Sequence, residues 1–210
     1  MLSECAQPTV RLLIDSNKLV RDMRRPCPPL RFHTHAGLPW TDIVPVVWCD
    51  ASPDNRYDGN GTMGLMAGLS GPGRAQGRED DVTLIAWRSA KLPRRIIGIN
   101  GGETQASTAG DDLLWLIRLF WAEIHGEIGA RHTWNVLVKK THGILTSDSK
   151  GIYDAVMKVE SPLLGLRSAR AGKELTATRQ NMQESDVDFR WVHGGAMLAD
   201  SLTKKGYPAR

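Results

Sequence analysis

Residues 43–50, Ile-Val-Pro-Val-Val-Trp-Cys-Asp, are apolar on both side-chain parities and stop on an acid. Val44, Val46 and Trp48 fill one parity, and Ile43, Val47 and Cys49 the other. A strand with one face in water alternates polar with apolar, whereas a strand apolar on both faces belongs at the centre of a covered sheet. Asp50 shares its parity with Val46 and Trp48, so a carboxylate emerges at the end of a buried row.

The rest of the chain supplies the neighbours of that strand. Pro53 to Gly61 is turn chemistry, and Thr62 to Leu69 is a second strand. Gly71 to Gly77, with the acidic Glu79-Asp-Asp81, makes a polar turn into a third strand, Val82 to Trp87, so the three predict an antiparallel meander. After Gly102 the period becomes helical. Leu113, Leu114, Ile117, Trp121 and Ile124 share a face, Arg118 and Glu123 lie off it, and Gly126 ends the run. Glu127 to Thr141 reads as a connection with an optional short turn. Gly143 to Ser147 is a compact strand, and Gly151 to Lys158 a short helix closed by Ser161-Pro162. Leu164 to Met182 reads as a helix weakened by Gly165 and Gly172, Val187 to Trp191 as a half-exposed strand, and about Met197 to Lys205 as a last helix. Ahead of the first strand, Val10 to Arg25 is an amphipathic helix stopped by Pro26-Cys-Pro-Pro29. The division is therefore a leading helix and loop over 1–40, too small for its own core, a domain over 41–205, and a tail over 206–210.

Composition narrows the class of molecule. Hydrophobic residues at 41% and charged ones at 24% exclude wholesale disorder. No apolar run reaches the ~18 residues of a membrane helix. Met1-Leu-Ser-Glu-Cys-Ala lacks the basic-then-apolar pattern of a secretory signal, and three cysteines suit a reducing compartment, the cytoplasm or nucleus. The net charge of +4 permits a polyanionic partner without requiring one.

Acids set against the apolar pattern carry the chemistry. Asp50 closes the first strand. Glu103 opens the long helix and steps along the buried stripe through Ala106, Gly110, Leu114, Ile117 and Trp121; Asp148 follows the strand Ile144-Leu-Thr-Ser, and Asp200 lies at the last helix. Each has an ordinary reading by itself: a turn residue, a helix-dipole partner, an N-cap and a solvated helix residue. Together, on this order of elements, they are four carboxylates at element ends, costly to desolvate unless they are paired or bind a cation. Oxygen-only ligands suit Mg²⁺ or Mn²⁺, and two such ions about 3.5–4 Å apart are the usual device for phosphodiester cleavage.

This ordered set resembles the ribonuclease H domain of copia-type retrotransposon polyproteins. The resemblance rests on Val47-Trp-Cys-Asp-Ala-Ser52, Ala86-Trp-Arg-Ser-Ala-Lys-Leu-Pro93, Gly102-Glu-Thr-Gln-Ala106, Leu145-Thr-Ser-Asp-Ser-Lys-Gly-Ile-Tyr-Asp-Ala155 and Trp191-Val-His-Gly-Gly-Ala-Met-Leu-Ala-Asp-Ser-Leu-Thr-Lys204. It covers about residues 41–205, while residues 10–35 look like the connection that follows a reverse transcriptase. It implies an α/β, RNase H-like fold, a five-stranded mixed sheet whose first three strands are antiparallel, flanked by helices. It implies an endoribonuclease that hydrolyses the RNA strand of RNA–DNA hybrids with two Mg²⁺ (or Mn²⁺) ions, leaving a 3′-hydroxyl and a 5′-phosphate. Asp50 would bridge both ions, Glu103 and Asp148 hold one, and Asp200 the other. His193 resembles the loop histidine that helps product leave, although it stands unusually close to Asp200. Two further departures are Gly102, where the motif usually has alanine or serine, and a longer segment between Glu103 and Asp148. A reverse transcriptase, upstream or in trans, is the implied protein partner.

Arg94, Arg95, Arg167 and Arg170 are the expected holders of the duplex backbone, and Ser52 and Asn100 candidates for minor-groove contacts. Cys27, His33 and His35 lack the paired spacing of a zinc site, and Gly71 to Gly77 lacks the Lys-Ser/Thr ending of a phosphate loop. Trp87, Trp115 and Trp121 read as packing residues. Two other functions fit a chain of this kind. One is a catalytically inactive module that binds nucleic acid or braces a polymerase. The other is a transposase or integrase, against which the helix-opening Glu103 between Asp50 and Asp148 argues.

Overall fold

A computed structural model describes residues 9–24, 29–35, 37–53, 56, 59–96, 98–127, 133–158 and 168–204. The elements are α1 (Val10–Met23), β1 (Val44–Ser52), β2 (Thr62–Ser70), β3 (Val82–Lys91), α2 (Ile99–Ile124), α3 (Trp134–Val138), β4 (Gly143–Ser147), α4 (Lys150–Met157), α5 (Ala169–Ser185), β5 (Val187–Trp191) and α6 (Asp200–Thr203). The strands form one sheet in the order β3-β2-β1-β4-β5. β1 and β2 are antiparallel, in register from Val44 opposite Ser70 to Ser52 opposite Thr62, β2 and β3 are antiparallel with a register shift at Ala67/Gly68, and β4 and β5 join in parallel. This is the expected five-stranded mixed sheet, its first three strands antiparallel.

β1 is buried along its length because it is covered twice. On one side Val47, Cys49 and Ala51 join Met63, Leu65 and Leu145 under Ala106 and Leu114 of α2, Ile152 of α4 and Leu175 of α5. On the other, Val44, Val46, Trp48 and Ile144 meet Met197 and Ala199 of the segment before α6. Each large side chain so buried contributes roughly 1.5–3 kcal/mol. Gly110 lets α2 approach the sheet: a β-carbon there would lie 2.8 Å from Leu145 Cδ1 and 3.2 Å from Cys49 Cβ.

Some expectations are corrected and others hold. α2 starts at Ile99, ahead of Gly102. Its core stripe holds Leu114, Leu119 and Ala122, whereas Ile124, in the last turn, is 74% exposed. Arg118 is fully buried, because it spends its guanidinium on the carbonyls of Thr141 (2.9 Å from Nε) and Ser185 (2.6 Å from Nη2). Trp87 is 61% exposed, since β3 is an edge strand. Trp115 packs edge-on against Trp134, and Trp121 against His125. The last helix is only Asp200–Thr203, preceded by a 3-10 turn at Gly194–Ala196. Val10, Leu13, Ile14, Leu19 and Val20 of α1 are all exposed. Cys27 lies outside the described residues, and His33 faces Asp81 at 3.3 Å. No described helix is long and apolar enough to cross a membrane.

Candidate active site

β1 and β4 run parallel, so their C-terminal ends open at the same edge of the sheet. Asp50 stands near the end of β1, and Asp148 one residue beyond β4. The segment after β5 crosses back over this edge and brings Asp200, the first residue of α6. One carboxylate oxygen from each of Asp50, Asp148 and Asp200 lies within 4.8 Å of the other two. Asp50 and Asp200 are buried, and Asp148 is half-buried.

Glu103 comes from the opposite layer. It is buried in the first turns of α2 and is not one of that group of three, but its carboxylate accepts the N–H of Ala51, next to Asp50. Burial pushes its pKa up to about 9, with the charges of Asp50 and Asp148 adding to the effect. Burial likewise raises Asp50 and Asp148 above the ordinary carboxylate range; the charge of Asp148 adds to the first shift and that of Asp200 to both. Like charges held this close, partly out of water, each disfavour the ionised state of the next.

Two groups offset the repulsion. The Thr203 hydroxyl donates to Asp50 Oδ2, and the Lys204 ammonium pairs with Asp200 Oδ2. Glu103 Oε2 and Asp200 Oδ1 remain buried without a hydrogen-bond partner among the described residues. A donor set made only of carboxylate oxygens, mutually repelling and with two buried oxygens unpartnered, fits a hard divalent cation.

The other expected residues fall in separate places. Arg94, Arg95 and Arg170 line one depression of about 100 Å³ beside Ser168, the N-cap of α5. Glu174 occupies part of it, paired with Arg94 and 3.5 Å from Arg170. Arg167 lies outside the described residues. Ser52 ends β1 opposite Thr62, and Asn100, in the first turn of α2, has its amide beside Gly151 of α4. His193 is exposed and caps the 3-10 turn, its Nδ1 accepting Gly195 N–H at 3.2 Å. Thr203 and Lys204 were not anticipated as site residues. Both stand in the run Asp200-Ser-Leu-Thr-Lys204, at i+3 and i+4 from Asp200, a spacing that a four-residue helix is too short to make legible.

No family model matches the chain, and no curated protein matches its sequence. Among solved structures it is similar to LC11-RNase H1, isolated from compost by a metagenomic approach, at 14% identity and a TM-score of 0.44, over 78% of this chain and 93% of that one. It is similar to the solution structure of the PFV RNase H domain at 15% identity and a TM-score of 0.38, over 77% and 92%. The foamy viral protease-reverse transcriptase in complex with an RNA/DNA hybrid matches at 11% identity and a TM-score of 0.38, over 96% of this chain and 27% of that one.

Proposed function

We propose that this chain is a divalent-metal-dependent endoribonuclease that hydrolyses the RNA strand of RNA–DNA hybrids. The observation that carries the reading is the convergence of Asp50, Asp148 and Asp200 from three elements at one sheet edge, with Glu103 buried beside Ala51. These four acids would hold two Mg²⁺ or Mn²⁺ ions. Bound there, such ions activate the attacking water and stabilise charge on the leaving oxygen.

The chain's own residues prepare the site. Thr203 keeps one Asp50 oxygen satisfied by a hydroxyl, and Lys204 neutralises one Asp200 oxygen. Arg94, Arg95 and Arg170 hold the phosphate backbone, a sequence-independent grip suited to a substrate defined by its strand type. Arg167 is a further phosphate-binding candidate by its charge, Ser52 and Asn100 contact the minor groove, where 2′-hydroxyls tell RNA from DNA, and His193 assists product departure. The motifs shared with copia-type polyproteins support an origin in such a polyprotein and a reverse transcriptase as partner, and the three cysteines support work in a reducing intracellular compartment.

The test is cleavage of a hybrid labelled on each strand, with Mg²⁺, Mn²⁺ or chelator. The expected result is metal-dependent cutting of the RNA strand alone, lost in Asp50→Asn. A parent protein that binds the hybrid and cuts neither strand with either metal would identify an inactive binding module, and joining of DNA ends would identify a transposase.

A further inference from the structure

Asp148 is the acid of the group that no regular element contains: β4 ends at Ser147 and α4 begins at Lys150. What fixes it comes from the neighbouring strand. Trp191, the last residue of β5, donates its indole Nε1–H to the Asp148 carbonyl at 2.9 Å. The backbone ladder closes beside it, with Val192 N–H on the Ser147 carbonyl at 3.0 Å. Three residues beyond Trp191, Gly194 packs against the carboxylate itself, where a β-carbon would lie 3.2 Å from Asp148 Oδ2.

We propose that Trp191 and Gly194 form a clamp that sets the direction of the Asp148 carboxylate, with Trp191 a positioning residue for the metal site. The inference rests on the reading of the acids as that site. The indole bond holds the Asp148 carbonyl, and with it the main chain at the α-carbon from which the side chain leaves. The bare α-carbon of Gly194 leaves the carboxylate room to face Asp50 and Asp200, and a methyl group there would press it aside. Simple packing does not account for the ring: Trp191 is 42% exposed, and its N–H is spent on Asp148. Lys150 Nζ lies over the ring, 6.0 Å from its centroid. Partners one bond removed from metal ligands hold them in orientation, and their loss typically weakens metal binding about 10–100-fold.

The experiment is Mn²⁺ binding to the full chain, followed by electron paramagnetic resonance, for the parent, Trp191→Phe, Gly194→Ala and Trp87→Phe. The last removes an exposed tryptophan from β3 as a control. The dissociation constant is expected to rise about tenfold in Trp191→Phe and Gly194→Ala and to stay unchanged in Trp87→Phe. The unfolding midpoint in chelator should match the parent's, and cleavage by both clamp variants should recover as Mn²⁺ is raised. Parental Mn²⁺ affinity in Trp191→Phe overturns the clamp while leaving the carboxylate site standing. If that variant does not fold, Gly194→Ala decides by the same criterion. A parent protein that binds no Mn²⁺ overturns the site, and the clamp with it.

Discussion

The Thr203 hydroxyl donates to the Asp50 carboxylate across 153 residues of chain, tying α6 to the central strand at the point where the acids meet. Both residues are buried, so neither can exchange this bond for water. An unsatisfied buried acceptor costs about 1–3 kcal/mol. Thr203→Val should therefore lower stability by about that amount in urea denaturation with chelator present, and Thr203→Ser should restore most of it. Parental stability in Thr203→Val would remove this bond as a contributor, and a loss confined to Thr203→Ser would assign the effect to packing of the methyl group.

Asp148→Asn separates stability from function. Asp50, Asp148 and Asp200 repel one another in the metal-free molecule, and an amide at 148 removes one of the three charges. The unfolding midpoint in chelator should rise. Hybrid cleavage should fall by more than about 100-fold, beyond the usual effect of losing a partner one bond removed from a metal. A variant that is both less stable and fully active would contradict the role given to Asp148.

How far the site was legible in the sequence depends on the range of the forces that make it. β1 and its terminal acid could be read because side-chain parity is a local property, and the central position of the strand followed from its two apolar faces. Arg118 could not be read: its carbonyl partners are 23 and 67 residues away, and a guanidinium on a helix ordinarily faces solvent. The exposure of Trp87 is opaque to its sequence for a related reason. Its exposure is set by strand order, which leaves β3 at the edge, and its own segment contains nothing that says so. Thr203 and Lys204 lie at the end of a helix of four residues, too short for a period to emerge.

Asp111 governs a pH dependence distinct from that of the acid cluster. Burial in α2 pushes its pKa up to about 7, with Asp112 adding to the rise, while the Asn181 amide and the Arg118 charge oppose it. Between about pH 4 and pH 7 the unfolded chain has released this proton and the native chain still holds it. Stability therefore falls as pH rises through that window and levels off above it. Asp111→Asn, neutral throughout, should be more stable than the parent at pH 8, the difference shrinking to nothing near pH 4. Urea midpoints of the two proteins at pH 4.5, 6 and 8 check this, and a constant difference across the series would remove Asp111 as its source.

Arg118 anchors the opposite end of the sheet from the acids. Its guanidinium joins α2 to the turn before β4 and to the last residue of α5, and its side chain covers Gly143, where β4 begins. Burial pushes its pKa down to about 10, against the favourable charges of Asp186 and Asp111, so it remains a cation at neutral pH. Arg118→Ala would leave the Thr141 and Ser185 carbonyls without this donor and open a cavity between three elements. The expected cost is about 1–3 kcal/mol for each buried carbonyl left without a donor, with the cavity adding to it. Mn²⁺ affinity of the protein that remains folded should match the parent's, because the acids sit at the other ends of β1 and β4. Chemical denaturation together with a metal titration checks both halves, and a large loss of affinity at unchanged stability would place Arg118 in the metal site's support instead of the scaffold.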